Sequence, residues 1–242
     1  MLQTVQGVVL RALKYSESSI IFDLYTRQMG LQSFIVSGVR KAKSKMPAGF
    51  FQVTSMLEVV AYVKQNDSLS RVKEARPAHH YQKIPFDTMR RSIALFMAEI
   101  LQKSLRDQES NELLYTFIER AFLQLDQLEI TPKNHHLLFM LELSSYLGFH
   151  PNGRWSEHLP FLHLVKGVFS DRSDGMYTLT SETSKMISGC IACDFSSGTE
   201  LPISRSQRQQ MLEALILFYR YHLDHFKEVK THQIFSEVLG DG

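Results

Sequence analysis

The chain has 242 residues, 44% hydrophobic and 21% charged, which is enough apolar content for a sizeable core and too ordinary a charge for wholesale disorder. No apolar run reaches the roughly 18 residues of a membrane span, the N-terminus lacks the pattern of a secretory signal, and two cysteines three positions apart make no disulfide framework. The net charge is only +2, yet residues 1–80 hold 11 Lys and Arg against 5 Asp and Glu, while 81–242 hold 16 against 20. These features point to a soluble cytoplasmic protein whose N-terminal part meets a polyanion while the acidic remainder does something else.

Residues 3–14 are strongly β-prone through Val8-Val9-Leu10, and Gly7 is expected to mark a bulge or sharp bend. After a turn at 15–18, residues 19–27 alternate, with Ile20, Phe22 and Leu24 facing one way and Asp23, Tyr25 and Arg27 the other. A turn at 28–30 leads into a third strand over 31–37. Residues 50–64 read as one long strand with Phe51, Val53, Leu57, Val59, Ala61 and Val63 on one face. A turn at 65–68 and a fifth strand over 69–78 complete the set. Five strands in some 80 residues predict a small closed or partly closed barrel. The five-stranded OB-fold, which often binds oligonucleotides, is the commonest such solution, and an SH3-like barrel fits the pattern alone.

The period then changes from 2 to 3.6, so the fold class is α+β: a domain over 1–80 followed by a helical domain over 81–242. Residues 86–106 and 111–128 carry apolar positions at helical spacing. Thr131-Pro132 predicts the start of a third helix that Gly148 stops. That helix is apolar nearly all round and is expected at the centre of its domain. Pro and Gly break the pattern over 149–180, an irregular insertion with a short hairpin around 161–169 and 176–180. Helix returns over 182–195. Ser204 and Gln207 form a capping box ahead of the last long helix, and a short amphipathic tail with Ile234, Phe235, Val238 and Leu239 follows.

The connection after the third strand holds the sharpest signal. Arg40, Lys41, Lys43 and Lys45 place four cations in six residues with no acid among them, between Gly38 and the Pro47/Gly49 pair. Long cationic side chains on a loop suit phosphates spaced along a backbone; the competing reading is a solvated charge run. Arg11, Lys14 and Arg27 are candidates to extend the track. Tyr15, Tyr25, Phe34, Phe50 and Phe51 are stacking candidates; core packing competes for most of them, and Tyr25 stands out because it shares a face with Asp23 and Arg27. There is no nucleophile elbow, no phosphate-cradling glycine loop and no histidine pair at metal-ligand spacing, so neither catalysis nor a cofactor is expected.

Taken in order, several segments resemble the bacterial recombination mediator family RecO. They are Leu10-Arg11, the hairpin Asp23 to Gly30, the loop Gly38 to Lys45, Ser145-Tyr146-Leu147-Gly148-Phe149-His150-Pro151, and the final helix from Arg208 to Leu223. The resemblance spans nearly the whole chain. It implies an OB-fold followed by helices, binding of single- and double-stranded DNA, and annealing of complementary strands. It also implies partnership with RecR and with the acidic C-terminal tail of single-strand-binding protein, and loading of RecA, at work on the nucleoid and away from membranes. One departure concerns zinc: many members carry four cysteines in the insertion, whereas 149–180 has none. Cys190 and Cys193 form one pair without a second, which His150, His158 and His163 would have to complete. The expectation is a zinc-free member. Arg90, Arg91, Arg120, Lys133, Arg205 and Arg208 are available to rim a partner groove in the helical domain. The alternative class is an adaptor whose barrel binds protein or RNA.

Overall fold

The computed structural model describes residues 1–39, 44–63, 69–106, 109–130, 132–193, 195 and 201–231. Five strands, β1 (Leu2–Lys14), β2 (Ser19–Thr26), β3 (Gly30–Ser37), β4 (Met56–Tyr62) and β5 (Ser70–Pro77), close into a barrel in the order β1-β2-β3-β5-β4. Closure depends on the length of β1. Its first half pairs antiparallel with β4, from Leu2 with Tyr62 to Val8 with Met56, and its second half pairs with β2 from Gly7 to Lys14. A short parallel contact, Phe34 with Ser70 and Ile35 with Arg71, joins β3 to β5. This Greek-key closure is OB-like, which decides between the two barrels the pattern allowed.

The bend in β1 differs in place from the expectation. The register shifts between Val9 and Arg11, so the bulge falls at Leu10. Gly7 has another reason to be glycine: a Cβ there would lie 2.5 Å from the Tyr25 carbonyl oxygen and 2.6 Å from Leu24 Cγ. The strand expected over 50–64 is also shorter than its alternation suggested. Pro47 leads into a 3₁₀ turn at Ala48–Phe51, closed by the Phe50 N–H donating to the Pro47 carbonyl at 3.0 Å. Thr54 then takes a positive φ of 81° before β4 begins at Met56. The turn carries the Phe51 ring into the barrel core, 5.0 Å between centroids from Phe22, which stacks on Phe34 at 5.5 Å. The turn expected at 65–68 lies outside the described residues.

The chain forms two compact units, Met1–Asp87 with Ala98–Asp126, and Thr88–Met97 with Gln127–Gly242, so α1 (Thr88–Ser104) contributes to both. In the first unit, α2 (Glu112–Gln127) presents the buried side of Asp126 to the segment that leaves the barrel. Its carboxylate accepts the backbone N–H groups of Gln82, Lys83 and Ile84 at 2.8, 2.8 and 2.9 Å. Burial alone would raise the Asp126 pKa, but these three donors and nearby His79 outweigh it and hold the carboxyl below its ordinary range.

In the second unit, α3 (His135–Tyr146) is the apolar centre, packed by α4 (Ser181–Ile191) and α5 (Arg205–His222). Tyr219 donates its hydroxyl to the Met140 carbonyl at 2.6 Å. The helix begins later than Thr131-Pro132 suggested: Pro132 to Asn134 form a turn, and Asn134 gives its side-chain amide to the Leu201 carbonyl at 2.8 Å instead of capping α3. Gly148, at φ 84°, ends the helix as expected. The insertion holds a hairpin of β6 (Phe161–His163) and β7 (Val168–Ser170). The α5 capping box is formed, with Ser204 and Gln207 each bonding the other's backbone N–H. The tail residues Ile234, Phe235, Val238 and Leu239 lie outside the described residues.

Candidate nucleic-acid interface

The basic connection leaves β3 through Gly38, at φ 79°, and is gripped at its base. The Val39 N–H donates to the Ser18 carbonyl at 3.0 Å, and the Val39 carbonyl accepts the Ala48 N–H at 3.2 Å. Buried Val39 and partly buried Met46 and Ala48 pack on the barrel core, so the chain is anchored on both sides of the basic run. Arg40, Lys41 and Lys43 lie outside the described residues. Lys45 is described and exposed; beside it, the Ser44 hydroxyl accepts the Met46 N–H at 3.2 Å.

Arg11 and Lys14 are exposed along β1, Arg11 in a long 3.4 Å contact with Asp23. Two of the other candidates are committed elsewhere. Arg27 donates to Glu119 at 3.1 Å and lies 4.9 Å from the Tyr115 ring centroid, while the Tyr115 hydroxyl donates to the other Glu119 oxygen at 3.4 Å. Tyr25, expected to be open for stacking, is a correction: only 2% of it is exposed, and burial pushes its phenol up to about 12. Alternation correctly placed it on the outer face, but period-2 patterning cannot reveal that this face is covered there. Phe34 and Phe51 are core residues and Phe50 is partly buried against the core, while Tyr15 is 66% exposed.

Lys45 and Met46 also line a groove of about 710 Å³ together with Glu58 and Val60 of β4 and Lys73, Glu74, Ala75 and Arg76 of β5. Sequence reasoning assigned no role to these β4 and β5 residues. Their signal is faint, because exposed charges on a strand carry no period beyond ordinary surface alternation.

In the second unit, Arg90 and Arg208 are unsuited to rimming a partner groove. Arg90 is buried and donates to the Leu128 and Ile130 carbonyls at 2.8 and 3.1 Å; Arg208 donates to the Ile203 carbonyl at 2.6 Å. Cys190 and Cys193 are free thiols. Burial, then Cys193, pushes Cys190 up to about 12, a protonated and poorly nucleophilic state. Among the described residues, no group of three or more His, Cys, Asp or Glu side chains is placed to hold a metal ion.

The model of the recombination protein O N-terminal domain matches residues 1–81, and that of the recombination protein O C-terminal domain matches residues 85–231. The chain belongs to the RecO family. The DNA repair protein RecO of Flavobacterium psychrophilum is 33% identical over 235 residues, covering 97% of this chain and 98% of its own length. Those of Phocaeicola vulgatus and Christiangramia forsetii are 32% and 31% identical, each over 99% of this chain and the whole of their own. RecO family membership therefore spans both the OB-like barrel and the helices, as the order of the sequence segments implied. No helix among the described residues is long and apolar enough to cross a membrane.

Proposed function

We propose that this chain is a recombination mediator that binds single- and double-stranded DNA without reading sequence, anneals complementary strands, and helps load RecA onto strands coated by single-strand-binding protein. The observation that carries the reading is an OB-like barrel whose β3-to-β4 connection, anchored through Val39 and Ala48, holds Arg40, Lys41, Lys43 and Lys45. Neutralising phosphates lowers the repulsion between two strands and holds them close, after which base pairing drives annealing. Arg11 and Lys14 extend the cationic surface along β1. This is binding work, and no nucleotide is hydrolysed. RecR and the acidic tail of single-strand-binding protein are the partners this reading assigns to the protein, with the acidic helical domain as the docking part, at work on the nucleoid.

The test is annealing of two complementary oligonucleotides by wild type and by a variant with Arg40, Lys41, Lys43 and Lys45 changed to Ala, its folding checked by circular dichroism. Loss of annealing by the folded variant is expected, with a wild-type logarithmic salt slope steeper by about 3. Unchanged annealing reduces the loop to a solvated charge run. A wild type that neither binds nor anneals DNA overturns the reading.

A further inference from the structure

The outer face of β4 and β5 carries a polar ladder. Cross-strand pairing sets Glu58 opposite Arg76, Val60 opposite Glu74, and Tyr62 opposite Arg71. Between Val60 and Ala61 the register shifts, leaving Lys73 without a partner on β4. A bulge re-aims the extra side chain, and Lys73 lines the groove that Lys45 and Met46 also line. Four cations, Lys45, Arg71, Lys73 and Arg76, thus share this side of the barrel with two carboxylates, and Val60, Ala75 and Met46 supply apolar lining.

The two carboxylates do not cancel the site. Arg76 Nε and Nη2 both reach the same Glu58 oxygen, at 2.8 and 2.7 Å. A guanidinium has five N–H donors, so about three remain for a phosphate while Glu58 fixes the plane of the fork. The Arg76 side chain is 74% exposed in that position, which a buried structural ion pair would not be. Lys73 and Glu74 form a looser 3.7 Å contact, both exposed, which a phosphate can displace. At the Arg71 end, Tyr62 is 49% exposed, an aromatic surface of the kind on which single-stranded bases stack.

We infer that the outer face of β4 and β5, from Tyr62 and Arg71 to Arg76 and with Lys45 at its edge, is a binding track for single-stranded nucleic acid. Arg71, Lys73 and Arg76 bind phosphates and Tyr62 stacks on a base. Arg71 to Arg76 spans roughly 15 Å of strand, a fitting reach for an extended polynucleotide and longer than a single anion requires. The inference rests on the DNA-binding reading above and deepens it by naming residues outside the basic loop.

The test uses the full chain and a fluorescein-labelled oligothymidylate, which cannot self-pair, followed by anisotropy across a salt series. Lys73→Ala with Arg76→Ala is expected to weaken binding and flatten the logarithmic salt slope by about 1.4, two phosphate contacts at about 0.7 each. Tyr62→Ala is expected to weaken binding about 5- to 150-fold with the slope unchanged. In a separate variant, Tyr62→Trp emission should be quenched on saturation; the chain has only one native tryptophan, Trp155, which serves as the wild-type control. If the loop variant loses binding while the Lys73/Arg76 variant keeps wild-type affinity and slope, the track is refuted and the DNA-binding reading stands. If wild type does not bind the oligonucleotide, both fall.

Discussion

Asp126 is the side chain on which the exit of the barrel chain hangs, and replacing it with Asn probes that role with little change of shape. One carboxylate oxygen accepts from Lys83 and Ile84 and the other from Gln82, all within 2.9 Å. In Asp126→Asn the remaining carbonyl can keep the first two bonds, but the new amide then points its own N–H groups at the Gln82 N–H. One charge-assisted bond is lost, the other two weaken, and a buried donor faces a donor. At about 1–3 kcal/mol for an unsatisfied buried group, and about half the bond strength for a neutral acceptor, the cost is about 3 kcal/mol. Urea unfolding at neutral pH measures it. The pH dependence gives a second check with a definite sign. The native carboxyl titrates below its ordinary value of about 3.9, so its stabilisation is fully present above that value. It shrinks as pH falls toward the lowered native pKa and is gone below it. The gap between wild type and Asp126→Asn should therefore narrow only under acid conditions. A variant within about 0.5 kcal/mol of wild type at neutral pH, the ordinary range for a surface change, would refute the reasoning.

Gly7→Ala should destabilise the barrel by more than about 2 kcal/mol in the same assay, because the added methyl meets the Tyr25 carbonyl, which is backbone and cannot swing aside. Phe51→Ala should cost about 3–5 kcal/mol by leaving a cavity against Phe22. His136 is fully buried, and burial, then the charges of Arg208 and His135, push its pKa down to about 3. The unfolded imidazole takes a proton near 6.5 and the native one does not, so this residue's contribution is whole above that pH and falls by up to about 1.4 kcal/mol per unit between there and about 3. His136→Leu should flatten that part of the stability profile measured by urea unfolding. Arg27→Ala should change oligonucleotide affinity less than about twofold in anisotropy, because its guanidinium is held by Glu119 and Tyr115.

Where hydrophobic alternation and helical spacing dominate, the sequence was a good guide. Ile20, Phe22 and Leu24 do point into the barrel, and α3, apolar nearly all round, is the centre of its unit. The failures have a common form: alternation reports parity along a run, not the turns within it or what a distant part of the chain does. Thr54 at positive φ and the 3₁₀ turn after Pro47 interrupt a run that alternates well enough to pass for one long strand. Tyr25 obeys the outward parity and is nonetheless buried. Arg27 looks like a surface cation until Glu119, 92 positions away in sequence, supplies its partner. The same limit hid the face of β4 and β5. Lys73 gains its place by a one-residue slip in pairing, Arg76 is oriented by a glutamate on the neighbouring strand, and Tyr62 is open only because it ends β4 facing outward. Density of charge along the chain pointed to the loop, whereas the β4–β5 face required the register of two strands. A binding surface assembled by cross-strand pairing is visible only once that register is known, because neighbours across a sheet are as remote in sequence as the topology makes them.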